Sequence, residues 1–171
     1  MKEFEPLIGE WHGEGAFPME PPMKMSVEAK VERLGEFIVF SSVGEPAELP
    51  DSISIIGGAP DGEPQPMHYF DSRGVERLYM TAVEGSTWSI WRAPGEDWNG
   101  PDGPGFNQRF IGEISSDGQT IEGRWERGMG DAGDAWEIDF PINYSRKQLP
   151  KAAGVATTMV VSPEGLEPST R

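Results

Sequence analysis

Arg92 lies in Ser86–Ala93, a run whose alternation puts it on the same face as Trp88 and Ile90. An isolated charge on an apolar face costs several kcal/mol, so this guanidinium needs a partner. One partner is the carboxylate or phosphate of a small ligand, with Gln108 orienting it. The alternatives are an internal acid, or water reached by the long stem from a strand end. Gln108 shares a face with Phe106, Phe110 and Ile114, and Tyr144 shares one with Trp136, Ile138, Phe140 and Ile142. Trp88, Phe110, Trp125, Trp136 and Phe140 would then be the walls of a pocket, and Arg92, Gln108 and Tyr144 its polar anchors. Such a pocket needs at least ~300 Å³.

The same residues also support a reading as chemistry. His68 stands in Met67-His68-Tyr69-Phe70-Asp71, beside a phenol and a carboxylate that would suit a general base. Arg92, Tyr69 or Tyr144, and His68 would then form a small lyase or isomerase site. The bland account is an ordinary histidine in a strand. The six basic residues from Arg73 to Arg127 are all arginine. Arginine is preferred where planar pairing or aromatic stacking is needed. On the outer face, Arg109 or Arg124 would pair with Glu113 or Glu122 across strands.

Several chemistries are excluded. There are no cysteines, hence no disulfide framework, thiol nucleophile or thiolate-bound metal. Two histidines without metal-ligand spacing do not make a zinc site. The acids of the long loop Ala93–Gly105, Glu96, Asp97 and Asp102, miss the calcium-loop pattern; a solvated loop with Trp98 as a lid is expected. No nucleophile elbow, phosphate-cradling loop or dinucleotide fingerprint occurs. A net charge of −15 repels nucleic acid and anionic membranes. No apolar run approaches a membrane span, and Met1–Pro6 is acidic rather than signal-like, so a cytoplasmic protein is expected.

Ten short strand-like runs must position these residues, separated by Gly- and Pro-containing turns. They begin around Trp11 and continue through Ser26–Leu34, Glu36–Val43, Ser52–Ile56, Met67–Asp71, Val75–Val83, Ser86–Ala93, Phe106–Ile114, Gln119–Glu126 and Ala135–Arg146. A helical turn over residues 4–8 leads into the first. In the last three strands the face opposite the apolar set carries Glu113, Glu122, Arg124, Glu126, Glu137 and Asp139, which are expected to meet water. Sequential hairpins of this number suggest an up-and-down meander closed on itself, since an open sheet would leave two exposed edges. A sandwich is the alternative. Residues 1–147 form this single domain; 148–171 lack periodicity and read as a disordered tail.

Four pieces carry a family resemblance: Gly9-Glu10-Trp11-His12-Gly13-Glu14-Gly15, His68 through Val75, Phe106 through Phe110, and Ile121 through Glu126. Together they resemble a bacterial family of calycin-like proteins with no assigned activity. The likeness spans roughly residues 4–146 and implies a lipocalin or fatty-acid-binding type of barrel. In such barrels a late arginine covers the opening Trp, which implies that Arg146 stacks on Trp11 and closes one end. The opening also resembles that of nitrobindin-type haem barrels, where a late strand carries the haem-ligating histidine. Here the late strand offers Tyr144, and a haem would have to use His12 or His68.

The expectation is an all-β protein, one antiparallel up-and-down calycin-like β-barrel of about eight to ten strands. It would be a non-enzymatic binding protein for a small hydrophobic, in one form anionic, molecule.

Overall fold

The computed structural model describes residues 1–92, 107–128 and 136–147. The Ala93–Gly105 lid and the tail from 148 lie outside the described residues. A 3-10 turn, Lys2–Leu7, precedes ten strands: β1 Gly9–Phe17, β2 Met23–Leu34, β3 Phe37–Glu45, β4 Ser52–Ile56, β5 Gln65–Asp71, β6 Glu76–Glu84, β7 Thr87–Arg92, β8 Asn107–Ile114, β9 Thr120–Gly128 and β10 Trp136–Arg146. Every strand pairs antiparallel with its chain neighbours, and β10 returns to β1, so the sheet is a closed barrel. Closure leaves no edge, which is why the barrel wins over the sandwich. Two-residue hairpins join β2 to β3 and β6 to β7; Gly35 and Gly85 supply their positive φ values of 59° and 62°.

One barrel end is sealed. Phe4 and Leu7 of the 3-10 turn are fully buried beneath the strand ends, and Trp11 is buried beside them. The Trp11 indole N–H donates to the Leu7 carbonyl at 2.8 Å. The Arg146 guanidinium lies 4.2 Å from the centre of the Trp11 ring. It donates as well to the carbonyls of Ile8 (2.6 Å), Pro6 (2.7 Å) and Gly118 (2.9 Å). A planar donor fork can stack on a ring and still satisfy three carbonyls; a lysine could not.

The last strand departs from the expected faces. A β-bulge between Ile138 and Phe140 inserts Asp139, so the alternation changes sides within β10. Phe140, Ile142 and Tyr144 point in, whereas Ile138 is 60% exposed and Trp136 lies outside. Arg109 covers the Trp136 ring at 4.2 Å. Asp139, expected in water, is turned inward. Glu126, also expected in water, is buried between Arg109 (2.5 Å) and Arg124 (2.6 Å), and these replace the anticipated pairs with Glu113 and Glu122.

Candidate functional site

Among the described residues, the barrel encloses a cavity of about 430 Å³ that opens opposite the sealed end. Its mouth is framed by Phe17 and Met23, the Glu48–Pro50 segment, Arg73 and Asp139. Inside, the two halves differ. The β7–β10 and β1–β2 side is mostly ring and aliphatic, including Trp88, Phe110, Trp125 and Phe140. The β3–β6 side adds Ser42, Ser52, Ser54, Tyr69, Arg77 and Tyr79.

A connected series of rings starts at Phe40 of β3 and runs along the aromatic side. Ring centroids lie 5.9 Å apart for Phe40–Trp88, 4.9 Å for Trp88–Phe110, 5.5 Å for Phe110–Trp125 and 6.5 Å for Trp125–Phe140. All but the last contact are tilted by at least 46°, within the range aromatic pairs prefer. Trp88 is held by its N–H, which donates to Thr81 Oγ1 at 3.0 Å, while that hydroxyl donates to the Ser89 carbonyl at 2.8 Å. Phe110 lies flat over two glycines: a Cβ on Gly123 would stand 2.6 Å from its ring, and one on Gly112 2.8 Å. Tyr144 lies in the same manner over Gly13, at 2.8 Å. Glycine at these inward positions keeps both rings against the wall and the cavity open.

On the other side Tyr69 donates to Asp71 at 3.0 Å, and Tyr79 donates to Gln108 Oε1 at 3.3 Å. The Asp71 carboxylate also takes Arg73 Nη2 at 2.8 Å, Arg73 Nε at 3.2 Å and the backbone N–H groups of Arg73 (2.9 Å) and Val75 (3.2 Å). Burial opposes the Asp71 charge, but the donors of Arg73, Tyr69 and the backbone outweigh it and hold the carboxyl below its usual range. Burial and the neighbouring Asp71 push the Tyr69 hydroxyl well up; burial does the same at Tyr144 and Tyr79. Burial also raises Asp139, against Arg127 3.9 Å away.

A depressed carboxyl stabilises the fold above its unfolded value of about 3.9, and that contribution is lost as pH falls through the folded value. Asp71→Asn is therefore expected to flatten the decline of the urea midpoint between roughly pH 5 and pH 2. An unchanged acid slope in that variant contradicts the assignment.

Of the side chains singled out from the sequence, Trp88, Gln108, Phe110, Trp125, Phe140 and Tyr144 line the cavity. Three do not. Arg92, half-buried opposite Tyr79 at the end of β7, is not among the lining residues. Trp136 is outside because of the bulge. His68 is exposed on the outer face. His12 also faces outward, 2.7 Å from Glu28, whose hydrogen bond raises its pKa. These are the chain's two histidines, so an iron inside the cavity would meet no imidazole. The serines and Arg77 went unread, although Ser52-x-Ser54 and Arg77-x-Tyr79 have the spacing that places each pair on one face.

Fold and cavity together define a closed ten-stranded antiparallel barrel, sealed at one end and hollow at the other. Among solved structures the chain is similar to Rv2717c from M. tuberculosis, with a TM-score of 0.59 and 14% sequence identity over 86% of this chain and 96% of that one. At that identity the likeness establishes the fold alone. No family model and no curated protein matches the sequence. Among the described residues no helix is long and apolar enough to cross a membrane.

Proposed function

We propose that this chain is a calycin-like, non-enzymatic binding protein for a small, largely apolar molecule held inside the barrel. The observation that carries the reading is the cavity itself. Its volume of about 430 Å³ falls in the range of small-ligand sites, and rings fixed in place line one side. A charged end, where the ligand has one, would meet Arg73 and Arg77 on the β5–β6 side of the mouth.

The polar groups support binding over turnover. Tyr69 and Tyr144 are held protonated, which makes them poor bases, and the Asp71 carboxylate is committed to five donors. His68 is on the wrong face to serve the lyase or isomerase scheme.

Naphthalene is a suitable first probe, being apolar and planar. Calorimetric titration is expected to show micromolar binding. Val27, half-buried on the cavity wall, offers a way to fill the space. Val27→Trp is expected to abolish naphthalene binding while circular dichroism remains that of the folded barrel. Undiminished binding to folded Val27→Trp places the ligand elsewhere and overturns the reading.

A further inference from the structure

Strand β4 is turned inside out relative to simple hydrophobic burial. Its sequence, Ser52-Ile53-Ser54-Ile55-Ile56, alternates, so one choice of face buries Ile53 and Ile55 and the other buries Ser52 and Ser54 along with Ile56. The barrel takes the second: Ile53 is 44% and Ile55 38% exposed, while Ser54 is 1% exposed. β3 follows the same rule, with Ser42 inside and Val43 outside. Ser42 and Ser52 satisfy each other, their hydroxyls 2.8 Å apart. Ser54 lies two residues further in, about 7 Å along the strand. Ser54 is among the residues that line the cavity, and its Oγ, which exposes less than 1 Å² in this rotamer, has no hydrogen-bond partner among the described residues; a rotation about χ1 would present it to a guest.

A buried hydroxyl without a partner destabilises the folded state. Here it comes at the expense of two exposed isoleucines. Ser54 sits in register between Phe40 and Tyr69, on the side that faces the Trp88–Phe110–Trp125 rings. Building on the binding reading above, we infer that the ligand is a planar, oxygenated aromatic molecule with polar atoms along one long edge, and that Ser54 is a specificity-determining residue hydrogen-bonded to one of them. The flat face of the ligand rests on the rings and the polar edge faces β3–β6. A simple fatty acid fits less well. Its polar group lies at one end, so an alkyl chain would pass Ser54 and leave the hydroxyl unpaired.

Three probes on the full chain separate the possibilities. In 2,7-dihydroxynaphthalene both hydroxyls lie toward one long edge; in the 2,6-isomer they lie on opposite edges; naphthalene has none. The 2,7-isomer is expected to bind about 5-fold more tightly than the 2,6-isomer. Ser54→Ala is expected to weaken 2,7-dihydroxynaphthalene about 3- to 10-fold and to change naphthalene by less than about 2-fold. Without ligand the same variant is expected to melt about 2–4 °C higher, because an unpaired buried hydroxyl has been removed. Equal binding of the two isomers, an equal effect of Ser54→Ala on all three probes, or a lower melting temperature of the unliganded variant overturns the inference but leaves the binding reading intact. If no probe binds the wild-type chain, the binding reading falls and this inference falls with it.

Discussion

Trp11→Ala is expected to destabilise the barrel by about 3–5 kcal/mol, the range for removing a large aromatic side chain from a packed core. Trp11 is among the largest fully buried side chains, and the 3-10 turn rests on it through the Leu7 carbonyl. Alanine removes the indole, orphans that carbonyl and takes away the ring under Arg146. The last loss alone is worth about 1 kcal/mol. Arg146 would keep its carbonyl partners at Ile8, Pro6 and Gly118, so its charge would not be stranded. Urea unfolding of the variant measures the cost. A change below about 1 kcal/mol would show that the barrel end is sealed without the tryptophan.

Gly123→Val is expected to cost about 3 kcal/mol, at the upper end for overpacking a core. The first added carbon alone would stand 2.6 Å from two Phe110 ring atoms and 3.0 Å from the Ile142 carbonyl oxygen. Phe110 cannot retreat toward β8, because Gly112 presents the same ring with backbone on that side. The ring would have to swing inward, into the cavity, so naphthalene affinity is expected to fall along with stability. Phe110→Leu removes the obstacle. The double variant is therefore expected to be more stable than the sum of the two single costs, by at least about 1 kcal/mol. Strict additivity in that cycle would refute the seating of Phe110 on the glycines.

The ten strands were legible because each is an alternating run between turn residues, and closure pairs the two edge strands that an open meander would leave exposed. The sealed end was legible through Trp11 and Arg146. Trp136 was misplaced for a definite physical reason. Period-two reading assumes an unbroken ladder, and nothing in Trp136-Glu137-Ile138-Asp139-Phe140 marks the residue that leaves it. In the absence of that bulge Trp136 and Ile138 would share the face of Phe140. The serine side was hidden by the opposite problem. Alternation in β4 is plain, but it offers two faces, and the rule that apolar side chains point inward selects the wrong one. Which face turns inward is decided collectively by closure, with Ile56, Met67 and Tyr79 pinning their neighbours.

The stack of Trp11 beneath Arg146 also has a kinetic meaning. On the binding reading, and as far as the described residues go, a guest would enter and leave through the same doorway, between Phe17, Leu49 and Arg73, because the other end is sealed. Whatever obstructs the way in obstructs the way out to the same degree. Rim side chains that do not touch the seated guest therefore set its residence time and leave its equilibrium occupancy unchanged, whereas the rings and hydroxyls deeper inside set the occupancy. On that reading, capture speed and tightness of hold would fall to separate parts of the same chain.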